Sequence, residues 1–337
     1  MIDGFEQYLG DLEFGDVEST YGTPAESTVR KRERSLEQFS EWLAERGVTD
    51  VEDITRRDIL LYVDYLTEEG YKESTIKNGK WSSVSAAITH LYKDGAIDDD
   101  PLARVTTGTI ASRIEDSLTT RQKKRRSNDG PKDHLKKEQV YQLAENYVPD
   151  PTDRNELLVK LLFWTGLRIS EALHIEIGED GRLDGPKSDV YPDTPKIEIY
   201  REKTNQGGVV SYPSAELNPL LYDWVRNGRL RYKCADSERA LFIGRKGRLT
   251  KSRAVKIVKE AAEEMGIQDT KTEARDGRKY HRVTPHLLRH SHAMHMVNVE
   301  GVPLDAVKDH LGHANVETTE RFYAEGTEER IISTFGE

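Results

Sequence analysis

The sequence has one cysteine, Cys234, in 337 residues. An internal disulfide framework and a cysteine-based zinc knuckle are therefore excluded. It lacks any run of 18 apolar residues, so no membrane-spanning helix is expected. The opening MIDGFEQYLGDLEFGD lacks the basic start and apolar core of a secretory signal. A reducing cytoplasm is the expected compartment, with no membrane partner. Aromatic residues are only 8% and mean hydropathy is −0.73, yet apolar residues recur at helical spacing through most of the chain, which argues against disorder.

Bases are also missing from the ends. Residues 1–25 hold Asp3, Glu6, Asp11, Glu13, Asp16 and Glu18 and no Lys or Arg. Residues 324–337 hold four acids and only Arg330. Of the net charge of −10, the ends carry −6 and −3, leaving −1 for residues 26–323. An acidic total argues against a nucleic-acid partner, but a near-neutral body with clustered bases does not.

The length suits two domains. Residues 1–24 read as an extended acidic tail. Three helices follow, at 27–46, from Thr55 to Gly70, and about 74–93. Thr55-Arg-Arg-Asp58 resembles a capping box. Together they make a helical domain over 25–107. Its basic residues, Lys77 and Lys80 among them, are simply solvated faces or candidate contacts for an anionic partner. Residues 108–134 read as a linker containing Arg121-Gln-Lys123-Lys124-Arg125-Arg126. That run is either a plain charged linker or a strand that follows a phosphate backbone.

The second domain is expected over 135–323. Helices are predicted at 136–147, 154–164, 215–227, 250–265, 285 to Gly301, 303–311 and 316–324, with Thr284 as a cap. Lys196–Tyr200 and Gly208–Tyr212 alternate as two strands around a hairpin turn. Arg253, on a predicted helix with basic neighbours, is a further candidate contact for such a partner.

Several polar residues fall at element ends. Arg168 follows the helix stop Gly166, and Glu171 lies one turn on, where it can orient the arginine. Lys203 sits at the hairpin turn. His286, Arg289 and His290 share a helix face close to a positive N-terminal end, a good place for an anion. His313 follows the stop Gly312, and Tyr323 comes ten residues later. Six of the ten histidines fall within 286–313. Zinc is disfavoured, because no carboxylate completes a His-Glu-x-x-His motif and Cys234 is isolated. No metal is assigned.

These motifs resemble the tyrosine recombinase (phage integrase) family, of the simple Xer or Cre type. Thr165-Gly-Leu-Arg168-Ile-Ser-Glu171-Ala-Leu173 is similar to the first arginine box. Pro285-His-x-x-Arg-His290 and His310-Leu-Gly-His313 are similar to the second, and Glu317-Thr-Thr-Glu-Arg-Phe-Tyr-Ala324 to the nucleophile box. The resemblance covers about residues 25–325. It implies a mainly α fold: a helical SAM-like core-binding domain and a mixed α/β catalytic domain with a small antiparallel sheet, together a C-shaped DNA clamp. The acid surplus would suit the salt-rich cytoplasm of a haloarchaeon, or its virus or plasmid.

The resemblance implies phosphoryl transfer on DNA without metal, ATP or other cofactor. Arg168 and Arg289 would clamp the scissile phosphate, since guanidinium donates bidentately and stays charged. His286 and His313 would add hydrogen bonds, Lys203 would be the general acid, and Glu171 and His290 would support them. The substrate would be double-stranded DNA with two inverted core-site arms, bound by a tetramer on paired sites. The tail 324–337 would dock in trans.

In the family the nucleophile lies nine residues after the Leu-Gly-His histidine. Here that position is Phe322, and Tyr323 is one further. Adjacent helical residues point about 100° apart. Either a local bend brings Tyr323 to the phosphate, or Phe322 occupies the slot and the chain binds DNA without cutting it. A type IB topoisomerase is a further alternative.

Overall fold

In the computed structural model the residues described are 1–15, 17, 24–118, 134–201, 206–273 and 279–312. The chain divides into two compact units, Met1–Asp129 and Gly130–Glu337.

The first unit is entirely helical where described: α1 (Asp3–Phe14), α2 (Glu26–Ala44), α3 (Arg56–Glu68), α4 (Ser82–Lys93) and α5 (Thr107–Ser117). A short turn at Glu73–Thr75 and a π-helical segment, Ile76–Trp81, lead into α4. The box at α3 is real: the Asp58 amide donates to Thr55 Oγ1 and the Thr55 amide to Asp58 Oδ2. Phe39 of α2 stacks among Phe5, Trp42 and Tyr62.

Two expectations are overturned here. Residues 3–14 are not an extended tail. Phe5, Tyr8 and Leu12 recur at helical spacing and are buried in the same core as Leu36 and Phe39, while Asp3, Glu6 and Glu13 are exposed. His90 of α4 pairs with Asp11 at 2.9 Å, tying α1 down. The stretch read as linker also begins too early. Thr107–Ser117 is a helix, opened by a Thr106/Thr109 box, that buries Ile110 and Ile114. Arg113 grips Asp64 of α3 through Nε at 2.7 Å and Nη2 at 2.5 Å. The rest of that stretch, including Lys123, Lys124, Arg125 and Arg126, lies outside the described residues.

The second unit is built around α7 (Thr152–Thr165), which follows α6 (Lys137–Asn146). Every residue of α7 from Leu157 to Thr165 is buried. The pattern is apolar nearly all round, as a central helix requires. Its one buried cation there, Lys160, is neutralised by Glu145 at 2.7 Å and Glu156 at 2.8 Å. After α8 (Ile169–His174) comes a three-stranded antiparallel sheet, β1 (Val190–Tyr191), β2 (Lys196–Arg201) and β3 (Gln206–Ser211), in that order. Ile197 pairs with Val210 and Arg201 with Gln206. Next are α9 (Ser214–Asp223), a two-stranded ribbon of β4 (Ile243–Gly244) and β5 (Gly247–Arg248), and α10 (Lys251–Glu264). A second ribbon, β6 (Thr270–Glu273) and β7 (Lys279–His281), precedes α11 (Pro285–Asn298) and α12 (Leu304–Leu311). Thr284 does occupy the N-cap position of α11, but its side chain makes no capping hydrogen bond. The helix predicted at 316–324 lies outside the described residues.

Candidate active site

Three element ends meet in the second unit. Helix α7 stops at Gly166, whose φ of +61° is the left-handed conformation that favours glycine. The chain then turns through Leu167 to Arg168, the N-cap of α8. The Arg168 amide donates to Glu171 Oε2 at 2.8 Å, and its Nη1 donates to Glu171 Oε1 at 2.6 Å. One carboxylate thus caps the helix and orients the guanidinium. Glu171 is 5% exposed and Arg168 is 31% exposed, so the arginine keeps an open side.

Arg289, in the first turns of α11, is buried. Its Nη1 donates to the Gly166 carbonyl at 2.6 Å and its Nη2 to the Leu311 carbonyl at 2.7 Å. Its Nη1 also lies 3.9 Å from Glu171 Oε2. Burial, with Arg168 and Arg201 adding repulsion, pushes its pKa down to about 10, while Glu171 opposes the shift. It remains charged at neutral pH.

Arg201, at the end of β2, is a site residue that the motifs did not reveal. It is buried, and its Nη1 donates to the Leu311 carbonyl at 2.5 Å and its Nη2 to the His310 carbonyl at 2.8 Å. Burial lowers its pKa most, with Glu171 opposing and Arg168 adding to the shift. A signal was present: Ile197, Ile199 and Arg201 alternate along the inward face of β2.

Helix ends make this burial of charge tolerable. The carbonyls of a last helical turn have no intrahelical partner and carry the negative end of the dipole. The arginines donate to such carbonyls, at the ends of α7 and α12. A histidine pair lies behind them. The His310 ring nitrogen meets the Thr165 carbonyl at 3.0 Å, and its ring lies 5.3 Å from that of His292. Burial is the main cause that drives the His292 pKa down to about 3, with His310 next, so both rings are neutral at pH 7.

The remaining expected residues fall as follows. His286 is exposed at the second position of α11. His290 is half-buried, its ring edge-on to His134 at 6.3 Å. Lys77 lies 3.5 Å from Glu73, and Lys80 Nζ is 5.8 Å from the Tyr71 ring centre, where burial lowers its pKa. Arg253 donates to Glu260 at 3.2 Å on α10. Lys203, His313, Phe322 and Tyr323 lie outside the described residues. Among the described residues no cluster of three His, Cys, Asp or Glu side chains is placed to hold a metal, and no helix is long and apolar enough to cross a membrane.

Residues 133–330 match the family model described as the phage integrase family. The chain belongs to the phage integrase family. Residues 22–86 match its N-terminal SAM-like domain. The family member is similar to tyrosine recombinase XerC of Roseiflexus castenholzii, 29% identical over 87% of this chain and 82% of the relative. It is also similar to tyrosine recombinase XerD of Mycobacterium tuberculosis, 26% identical over 88% and 86%. Among solved structures, XerH recombinase bound to palindromic difH substrate matches with a TM-score of 0.66 at 19% identity, covering 91% of this chain and 78% of that one. A lambda integrase dimer bound to a core site matches with a TM-score of 0.61 at 14% identity, covering 96% and 95%. These likenesses establish the fold: mainly helical, with a SAM-like N-terminal domain and small antiparallel sheets.

Proposed function

We propose that this phage integrase family member is a site-specific DNA recombinase that cuts and rejoins duplex DNA through a 3′-phosphotyrosyl intermediate. The observation that carries this reading is the convergence of Arg168 and Arg289 on one buried carboxylate, that of Glu171. Two guanidiniums held in fixed directions suit a phosphate whose negative charge grows in the transition state. In this reading they bind the non-bridging oxygens. The Tyr323 hydroxyl attacks phosphorus and its proton passes to His286. The phosphorus–5′-oxygen bond breaks, and Lys203 protonates the leaving oxygen. His313 donates to a non-bridging oxygen, and His290 supports the His286 end of α11. Ligation is the reverse, with the 5′-hydroxyl as nucleophile, so bond energy is conserved and neither ATP nor a metal is required.

Lys77, Lys80, Arg253 and the Lys123–Arg126 run contact the DNA backbone, so binding weakens steeply with salt. The substrate has two inverted arms, a tetramer assembles on paired sites, and residues 324–337 dock on a neighbouring copy. Phe322 supports a second reading, in which its ring fills the nucleophile slot and the protein binds DNA without cutting it.

The test is a suicide-substrate assay. A binding site is first selected from a random duplex library, then nicked beside the cleavage position and mixed with wild type, Tyr323→Phe and Phe322→Tyr on a denaturing gel. A covalent adduct with wild type that is lost in Tyr323→Phe supports a recombinase with a displaced nucleophile. An adduct only with Phe322→Tyr supports the non-cutting reading. Relaxation of supercoils without paired sites would point instead to topoisomerase activity.

A further inference from the structure

We propose that Arg201 is a positioning residue that clamps the Leu311–Gly312 turn onto β2 and so sets the geometry of the phosphate site. The sequence around it carries no motif. The structure gives it partners 109 and 110 residues away, the carbonyls of His310 and Leu311.

Three observations converge. First, both terminal nitrogens of Arg201 are committed to backbone carbonyls at the end of α12, so the guanidinium is held as a bracket. Second, the Leu311 carbonyl is shared. Arg289 donates to it at 2.7 Å and Arg201 at 2.5 Å. Moving one guanidinium therefore moves the acceptor of the other. Third, the turn is shaped around Arg201. Gly312 has a φ of +64°, and a β-carbon there would stand 1.5 Å from Arg201 Nη1. Only a glycine leaves room for the guanidinium.

The placement has a consequence that rests on the proposed recombinase reading. Arg201, the last residue of β2, lies two positions before Lys203 in the sequence, and Gly312 immediately precedes His313. One bracket thus joins the backbone segments that lead to two proposed catalytic groups, and it does so through the carbonyl that seats Arg289. Lysine replaces this only in part. Its single ammonium is a point donor without the fixed fork that spans two carbonyls.

The test compares full-length wild type, Arg201→Met and Arg201→Lys in two measurements. The first is hydrogen exchange by mass spectrometry over the 304–312 peptide, with 251–264 as the internal reference. Arg201→Met is expected to speed exchange in the first peptide alone, and Arg201→Lys to give an intermediate rate. Unchanged exchange at 304–312 overturns the clamp whatever the enzyme does. The second is single-turnover cleavage of the selected suicide substrate, set beside DNA affinity. Misplacing a site by about an ångström costs on the order of 100-fold in rate, so Arg201→Met is expected to cleave at least about tenfold more slowly. Its affinity should stay within about threefold, and Arg201→Lys should recover part of the rate. Cleavage at the wild-type rate, or a loss matched by equal loss of binding, overturns the positioning role. If wild type forms no adduct, the recombinase reading fails and the exchange result alone decides the clamp. If Arg201→Met does not fold, Arg201→Lys carries both measurements.

Discussion

Gly166 joins the backbone of the central helix to the arginine cluster, and replacing it by alanine separates two physical effects. Its φ of +61° is left-handed, and a non-glycine residue there costs about 1–2 kcal/mol. The new β-carbon would also lie 2.5 Å from His292 Cδ2 and 2.5 Å from Leu311 Cδ2. Both neighbours are buried and neither can swing into solvent. Overpacking of that kind costs a further 1–3 kcal/mol or so. Gly181 supplies the control: its φ is +77°, with nothing within 4 Å of an added β-carbon. Gly181→Ala should therefore lose only the conformational part, about 1–2 kcal/mol. Gly166→Ala should lose about 2–5 kcal/mol, which for a unit of this size lowers Tm by roughly 10 °C. Urea unfolding followed by Trp fluorescence, with calorimetry for the midpoints, gives both values. Equal losses at the two glycines would refute the argument that the Gly166 turn is packed against α11 and α12. The Gly166 carbonyl also seats Arg289, so DNA cleavage should fall at Gly166 and not at Gly181.

Other expected outcomes follow from single contacts. Glu171→Gln removes the only carboxylate facing Arg168 and Arg289 among the described residues, and urea unfolding should show a loss of about 3 kcal/mol; unchanged stability would mean the pair is solvent-screened. His292 has a folded pKa of about 3 against about 6.5 unfolded. In that window the unfolded chain binds a proton that the folded chain does not, so stability is complete above pH 6.5 and declines as pH falls. The slope from this group reaches about 1.4 kcal/mol per pH unit. His292→Phe should flatten it in urea midpoints taken from pH 4 to 7, leaving what His295, His310 and shifted carboxylates such as Glu216 and Glu238 contribute, and an unaltered slope would sink the assignment. Phe5→Ala should destabilise the first unit by about 3–5 kcal/mol; a loss below about 1 kcal/mol, the range of a surface change, would restore the reading of residues 1–24 as a tail.

Local pattern made much of this molecule legible. The Thr55 box, the two alternating strands and the Gly166 and Gly312 stops all follow from spacing within a few residues. The failures have a common cause in competing local signals. Acids dominate residues 1–25, and their charge outweighed the recurrence of Phe5, Tyr8 and Leu12. Threonines and an arginine around Ile110 and Ile114 gave a helix the look of a linker. At the site, Arg168, Glu171 and Arg289 were readable because family motifs surround them. Arg201 was not, because what makes it matter is a pair of carbonyls more than a hundred residues away. Only its inward register on β2 hinted at it.

That distant pairing bears on why the cluster suits an anion at all. Among the described residues Glu171 is the one carboxylate that acts on Arg168, Arg201 and Arg289, three cations to one anion there. Additional carboxylates would have oriented the arginines equally well, but each would have cancelled a charge and repelled a phosphate. Backbone carbonyls orient without neutralising. Each accepts a hydrogen bond and offers only the partial charge of a helix end. The two buried guanidiniums are consequently held stiffly by neutral dipoles, while Arg168, the most exposed of the three, is aimed by Glu171. The direction of their field is fixed before any ligand arrives, which is the condition under which electrostatic stabilisation of a developing charge costs no reorganisation.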